Sequence, residues 1–219
     1  MSKIQNMCET ITHHIGKELN LEENQKAVIQ YGLFAIIHTT LAIGLSIILG
    51  ALFGVLIPTL IISIVAVILR KYSGGVHASN PEECAVIGTI VAVGGGVVLN
   101  QLKWHIESVI ILGIIIFCLA FYWIYKLAPV DSKAKPIKKL EKRAMLKKKS
   151  YFVLTFYGVM VVAILVIYLL EPNEKLLVYT TCIYGGISWQ VFTLTALGHQ
   201  IIQKIDGLFN KLTKNKGGI

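Results

Sequence analysis

The sequence predicts an all-α integral membrane protein with six transmembrane helices, an N-terminal amphipathic interfacial helix and both termini in the cytoplasm. Three observations support this prediction. The 219 residues are 55% hydrophobic and 15% charged, whereas about 25% of the residues in an ordinary soluble domain are charged. The mean hydropathy is +0.68. Long uncharged runs alternate with segments rich in Lys and Arg. A soluble globular domain of this length is excluded, because it could not bury so much apolar surface.

Residues 1–24 form the first predicted element. Their apolar side chains recur at helical spacing, which indicates an amphipathic helix. This helix would lie on the cytoplasmic membrane surface or pack against the cytoplasmic ends of the spans. We expect no secretory signal here, because the segment lacks a compact basic start followed by a short apolar core. The apolar positions are Ile4, Met7, Cys8, Ile11, Ile15 and Leu19.

The uncharged runs define a membrane domain over residues 25–200. A helix that crosses a bilayer needs about 20 residues, and the run from Ala27 to Leu69 has 43. It is therefore long enough for two spans, with a turn within residues 50–58. Each remaining run supplies one span. The predicted spans are 27–50, 52–69, 85–102, 108–125, 151–170 and 176–198.

The distribution of basic residues predicts the topology. Of the 21 Lys and Arg residues, 19 lie in the two terminal segments and in alternate connections, and ten of these lie in residues 126–149. Basic residues favour the cytoplasmic side of a membrane. The loops 70–84 and 126–149 and the tail 201–219 are therefore expected in the cytoplasm of a cell-membrane protein. The net charge of +9 is explained by this topology, and we expect no nucleic-acid partner.

The connection between the second and third spans contains the residues that suggest chemistry. Asn80, Pro81, Glu82 and Glu83 form a typical helix start, with Asn80 as the N-cap and Pro81 at the first helical position. The third span would then begin at Pro81 and place Cys84 in its first turn. The positive end of the helix dipole favours a thiolate there, although the two glutamates oppose this effect.

His77 is the histidine nearest to Cys84 in the sequence. Seven residues on one straight helix would separate them by about 10.5 Å, but a break at Pro81 lets the preceding loop fold back. Gly74 and Gly75 permit tight turns in that loop. A Cys/His dyad for nucleophilic catalysis is thus plausible. The alternative is a capped span entrance with an incidental cysteine. The spacing fits no zinc pattern and no phosphate loop, so we expect no metal and no cofactor.

Two further features concern helix packing. His38 is a polar residue inside the first span, where a helix–helix hydrogen bond is the simplest interpretation. Gly50-x-x-x-Gly54 and the glycines at 94–96 suit close contact between helices. These glycines make a homodimer possible.

Two segments of the sequence resemble those of a known family. The segment Arg70-Lys-Tyr-Ser-Gly-Gly-Val-His77-Ala, followed by Cys84, is similar to the signature of the accessory gene regulator B (AgrB) family. Residues 128–131, Ala-Pro-Val-Asp, with Lys-Pro at 135–136, resemble an element that this family carries after its fourth span. The resemblance covers residues 1–205. Ser73 departs from the alanine expected at that position.

The resemblance implies a membrane cysteine endopeptidase of Gram-positive quorum sensing. Such a protein removes the C-terminal part of a small propeptide, AgrD, and closes the remainder into a thiolactone or lactone ring, the autoinducing peptide. By the same resemblance, Cys84 is the nucleophile and His77 is its base, both on the cytoplasmic side. A third catalytic residue is left open among Asn80, Glu82, Glu83 and Asp131.

Further residues are candidates for binding the propeptide. Arg70 could bind one of its carboxylates, or could only set the topology at the end of a span. Backbone amides near Gly75, or those at the start of the third span, could stabilise an oxyanion. The basic residues Lys147, Lys148 and Lys149 could bind the acidic tail of an AgrD-like propeptide, or could contact anionic membrane lipid.

Two other classes of function compete with an endopeptidase. One is a non-enzymatic six-span transporter or exporter of a small peptide, which would need polar residues along a path through the bilayer, and the predicted spans contain few. The other is a membrane sensor or scaffold that uses the Cys/His loop as a redox or metal switch.

Overall fold

The computed structural model describes residues 3–19, 21–76, 81–131, 137 and 139–214. Over these residues the chain forms eight helices, and the only extended pairing is an isolated parallel bridge between Gly74 and Val130. The all-α class is confirmed. His77, Asn80, Lys135 and Pro136 lie outside the described residues. The helices are α1 (Lys3–Glu18), α2 (Glu23–Leu52), α3 (Leu56–Ser73), α4 (Pro81–Gln101), α5 (Ile106–Leu127), α6 (Leu140–Leu170), α7 (Glu174–Phe192) and α8 (Ala196–Lys214).

The chain divides into two compact units, residues 1–45 and 46–219. The first unit contains α1 and most of α2. In α1, the side chains of Cys8 and Thr12 are buried, whereas Met7 is exposed. The second unit contains the end of α2 and the remaining helices, together with the described residues of the candidate site.

Within the described residues, the five helices α2 to α6 are long and apolar enough to cross a membrane. Many large apolar side chains on their outer faces are exposed, among them Ile48, Ile114 and Leu169. Apolar surface of this extent is typical of contact with lipid rather than with water. These helices are consistent with a multi-pass membrane protein.

Helix α7 is the most central helix of the second unit. It packs against α3, α4, α5 and α6, and ten of its 19 residues are buried. Polar residues occur on this buried face, including Thr180, Thr181 and Gln190. Because neighbouring helices cover α7, it does not need the apolar surface that lipid-facing helices present.

Glycines allow several helices to approach closely within one chain. A Cβ on Gly96 of α4 would lie 3.2 Å from Oγ1 of Thr59 in α3, and a Cβ on Gly50 would meet the same atom at the same distance. Gly113 of α5 accommodates the ring of Tyr184. The glycines that suggested a dimer are therefore used, at Gly50 and Gly96, for packing inside the protomer.

Helices α3, α6 and α7 have boundaries that differ from the sequence prediction. Helix α3 begins later than residue 52, because Gly54 adopts a φ of 68° and ends the preceding turn, and it continues through Arg70 to Ser73. Helix α6 begins at Leu140, inside the predicted loop 126–149, since residues 140–149 contain good helix formers and no Gly or Pro. The predicted span 176–198 is interrupted after Phe192, and Thr195 Oγ1 accepts from the Gly198 N–H at the start of α8.

Candidate active site

The candidate site lies where α3 ends and α4 begins. Helix α3 stops because Gly74 and Gly75 have positive φ values of 70° and 138°, which favour glycine. The Gly74 N–H donates to Arg70 O as the helix cap. We call residues 74–76 the glycine loop. It turns the chain away from α3 and leads toward His77.

The segment after α5 holds one side of the glycine loop. The Val130 N–H donates to Ser73 O at 2.9 Å, and Val130 forms the parallel bridge with Gly74. A Cβ on Gly74 would overlap the carbonyl oxygen of Val130. Val130 belongs to the element 128–131, which resembled the family's second motif. This element therefore contacts the first motif directly, at Ser73 and Gly74.

The C-terminal end of α7 holds the other side. The Val76 N–H donates to Thr193 O at 3.1 Å. Gln190 Nε2 donates to Gly74 O at 2.6 Å and to Ser73 Oγ at 3.0 Å. A Cβ on Gly75 would lie 2.6 Å from Thr193 Oγ1. The glycine loop is thus fixed by two distant parts of the chain, the segment after α5 and the end of α7.

Arg70 links the glycine loop to the cysteine. Its Nη2 donates to Val76 O and lies 4.0 Å from Cys84 Sγ. The residue is partly buried. The guanidinium therefore lies between the two parts of the motif, beside the atom expected to act as nucleophile.

Cys84 lies in the first turn of α4, which begins at Pro81 as the sequence predicts. Its side chain is partly exposed, whereas Cys8 and Cys182 are buried and Cys118 is exposed on α5. The free N–H groups of a first helical turn favour a nearby anion. Among the described residues, no group of His, Cys, Asp and Glu side chains could hold a metal ion.

His77 lies just outside the described residues, next to Val76. Arg70, Gly75 and Cys84 lie close together, because Arg70 contacts both the glycine loop, at Val76 O, and the Cys84 thiol. Asp131 instead forms an ion pair with Arg143 at 3.1 Å. Glu82 is exposed and Glu83 is partly buried, both at the start of α4.

The three lysines expected to bind the propeptide lie in the N-terminal part of α6 and have different surroundings. Lys147 Nζ donates to Tyr125 O at 2.6 Å in the last turn of α5. Lys149 Nζ lies 5.9 Å from the centre of the Tyr72 ring, a cation–π contact. Lys148 is exposed. The lysines therefore do not form one uniform binding patch.

The sequence analysis did not single out Gln190 or Thr193. The available signal was an amide side chain in a predicted span without charged residues, which is uncommon because an unsatisfied amide is costly in a membrane. Nothing in the sequence indicated that its partners would be Ser73 and Gly74, more than 100 residues earlier.

Comparison with known proteins identifies the family of the chain. The family model of Accessory gene regulator B matches residues 8–194. Two relatives named as AgrB-like proteins come from Clostridium perfringens strains 13 and SM101. They are 35% and 34% identical to this chain, over 95% of its length and 99% of theirs. No solved structure matches the chain. The chain therefore belongs to the AgrB family, which takes part in accessory gene regulation and quorum sensing.

Proposed function

We propose that this protein is a membrane cysteine endopeptidase that cleaves an AgrD-like propeptide and cyclises the N-terminal product. The observation that carries the proposal is the position of Arg70, whose Nη2 bonds Val76 O and lies 4.0 Å from Cys84 Sγ. The chain enters His77 directly from that Val76 carbonyl group. The proposed base therefore follows the anchored Val76 directly in the sequence, and the proposed nucleophile lies beside the guanidinium that binds Val76 O.

The first chemical step is acylation of Cys84. His77 takes the thiol proton, and the sulfur attacks the carbonyl carbon of the scissile peptide bond. The carbon–nitrogen bond then breaks, and the imidazolium returns the proton to the departing amine. The products are an acyl-enzyme thioester and the C-terminal fragment. Arg70 supports this step by stabilising negative charge on Sγ, and its binding of a propeptide carboxylate stays a prediction.

Gly75 is suited to stabilise the oxyanion of this step. In the described part of the loop, the N–H groups of Gly74 and Val76 donate to Arg70 O and Thr193 O, whereas the Gly75 N–H has no acceptor. A backbone N–H that is held rigidly and left unused is the kind of donor that an oxyanion hole requires.

The second step closes the ring. A thiol or hydroxyl group within the acylated fragment attacks the Cys84 thioester and releases the Cys84 thiol. With a thiol, one thioester replaces another at little cost in free energy. Water must be kept from the thioester, because hydrolysis would give a linear peptide. The partly buried cysteine at the end of a bundle of apolar helices supports such exclusion.

For the topology we propose six spans, with α7 as the sixth and both termini in the cytoplasm. The support is the alternation of Lys and Arg along the chain and the position of α7 among α3 to α6. Residues 1–24 would form an interfacial helix, 25–200 the membrane domain with the catalytic loop 70–84, and 201–219 a cytoplasmic tail. The site then opens toward the newly made propeptide.

The partners that we propose are an acidic propeptide tail and anionic lipid. Lys148, which is exposed on α6, is best placed to bind the propeptide. Lys71 and Lys149 are both cation–π partners of the Tyr72 ring, an arrangement suited to the lipid headgroup region. A homodimer remains a proposal, and Gly50 and Gly96 do not support it because they pack within the protomer.

The test is reconstitution of the purified protein in liposomes with its cognate propeptide, followed by mass spectrometry. We expect an N-terminal product that is one water lighter than the linear fragment, together with the free C-terminal fragment. A Cys84→Ala variant should give neither, and a Cys118→Ala variant should give both, because Cys118 lies on a different helix. Transport of intact propeptide without cleavage would favour the exporter.

A further inference from the structure

We infer that Gln190 on α7 is a positioning residue for the Cys84 site, an inference that rests on the proposed function. Gln190 does not contact Cys84 in the described contacts. It acts through the glycine loop, where its Nε2 donates both hydrogens, one to Gly74 O and one to Ser73 Oγ. The loop in turn holds Val76, and Val76 O binds Arg70 beside the thiol.

The surroundings of Gln190 show why packing alone does not explain it. Its side chain is fully buried on the packed face of α7. Among the described residues, its Oε1 has no hydrogen-bond partner. A buried amide oxygen without a partner lowers stability, so an apolar side chain of similar size would suit the helix interface better. The two contacts made by Nε2 are what this position gains from a glutamine.

Ser73 extends the same chain of hydrogen bonds into α3. Its Oγ accepts from Gln190 Nε2 and donates to Leu69 O at 2.9 Å. The hydroxyl thus donates to one of the last carbonyl groups of α3 while it accepts a hydrogen bond from the Gln190 amide. The family resemblance suggested alanine at position 73. The serine found there gives Gln190 a second acceptor, so that α7 is attached both to the end of α3 and to the glycine loop.

Thr193, one turn after Gln190, completes the attachment. Its carbonyl accepts from the Val76 N–H at 3.1 Å, and its Oγ1 donates to Gln190 O at 2.7 Å. The end of α7 therefore holds the loop at Gly74 and at Val76, on both sides of Gly75. This holds Gly75 between two anchored residues, and its N–H has no acceptor among the described residues.

The consequence is that α7 controls the reactivity of Cys84 from a distance. If the attachment is lost, Val76 and Arg70 no longer hold their positions, and the thiolate loses its cationic neighbour. The charged groups on the two helices that meet here are Arg70 and Lys71 on α3 and Glu82 and Glu83 on α4. None of these groups changes in the variants below, and Gln190→Met adds no charge, so a changed reactivity in that variant reports on their arrangement.

The decisive variant is Gln190→Glu in the full-length protein in liposomes. Glutamate has the same shape, but it has at most one hydrogen to donate and none when ionised, so it cannot donate to both Gly74 O and Ser73 Oγ as Nε2 does. The rate of Cys84 alkylation by iodoacetamide is measured against pH, with the Cys84 peptide followed by mass spectrometry. We expect the profile to move to higher pH and acylation by the propeptide to slow by about 100-fold, with unchanged propeptide affinity. Gln190→Met repeats the test without a buried carboxylate.

Thr180→Val is the matched control, because Thr180 is also buried on α7 but bonds only within its helix, to Leu176 O. It should leave the alkylation profile and acylation unchanged. If both Gln190 variants insert, fold and behave like the wild type while Cys84→Ala is inactive, the inference is wrong and the proposed function stands. If Cys84→Ala still cleaves the propeptide, the proposed function itself is wrong.

Discussion

Gly74 and Gly75 are required for different steric reasons, and these reasons predict different outcomes of substitution. A Cβ on Gly74 would overlap the backbone oxygen of Val130, whereas a Cβ on Gly75 would meet the side-chain hydroxyl of Thr193 at 2.6 Å. A backbone atom cannot be removed by mutation, but a hydroxyl can. Positive φ values disfavour any residue other than glycine at both positions.

We therefore expect Gly74→Ala to abolish propeptide cleavage and Gly75→Ala to reduce it by about 100-fold, the loss expected from misplacing an oxyanion donor. Adding Thr193→Ala should partly restore the Gly75→Ala variant and should not restore Gly74→Ala. Cleavage rates in liposomes measure these effects. Equal rescue of both glycine variants would contradict the contacts given for the loop.

Arg70 provides the second prediction at this scale. Arg70→Gln removes the cation beside Cys84 Sγ, and a hydrogen bond to a charged group contributes about 1.5–3 kcal/mol. We expect Cys84 alkylation at neutral pH to slow by about 10-fold or more. Lys71→Gln is the control, because it removes the same charge from the same end of α3 without contacting Cys84. Equal effects of the two variants would indicate that Arg70 serves only the topology.

At the scale of elements, the N-terminal part of α6 combines two roles that the sequence presented as one basic run. Lys147 is bound to the last turn of α5 through Tyr125 O, which complements the negative end of that helix. Lys148, the next residue, is exposed. A single substitution at each position therefore separates helix stabilisation from propeptide binding.

We expect Lys148→Gln to raise the KM for the propeptide, with an effect that shrinks as salt increases, because exposed charges are screened. Lys147→Gln should instead lower stability by about 1 kcal/mol. Propeptide titrations at low and high salt and thermal unfolding in detergent measure the two effects. A salt-dependent KM change at Lys147 and none at Lys148 would reverse the assignment.

At the scale of the whole molecule, α7 matters both for the membrane topology and for the structure of the site. It packs against four helices, and its C-terminal end holds the glycine loop. If α7 crosses the membrane, its two ends lie on opposite sides, and the end that carries Gln190 lies with Cys84 on the cytoplasmic side. If α7 instead stays within one leaflet, both ends of α7 lie on the same side of the membrane.

Cysteine labelling in oriented membrane vesicles distinguishes these cases. Single cysteines are introduced at Glu171, before α7, and at Leu197, in the first turn of α8, with the four native cysteines replaced. Both residues are exposed. We expect a membrane-impermeant thiol reagent to label position 171 from outside the cell and position 197 only from the cytoplasm. Labelling of both from one side would rule out a six-span topology.

The sequence was sufficient for features that depend on local pattern. The uncharged runs located the helices, and the Asn80–Glu83 segment placed the start of α4 at Pro81. Features that depend on distant contacts could not be predicted in this way. Hydropathy and capping rules say nothing about which residues meet, so the attachment of Gln190 to Gly74, the bridge from Val130 and the position of Arg70 beside Cys84 required the structure.

The most direct test of the central claim is to trap the acyl-enzyme. The purified protein is mixed with a propeptide in which the residue that carries the attacking thiol or hydroxyl is replaced by alanine, and the intact protein is analysed by mass spectrometry after rapid acid quench. We predict a thioester adduct of the N-terminal fragment on Cys84, removed by hydroxylamine and absent from Cys84→Ala. Cleavage that continues in Cys84→Ala, or an adduct on another residue, would contradict the assignment of Cys84 as the nucleophile.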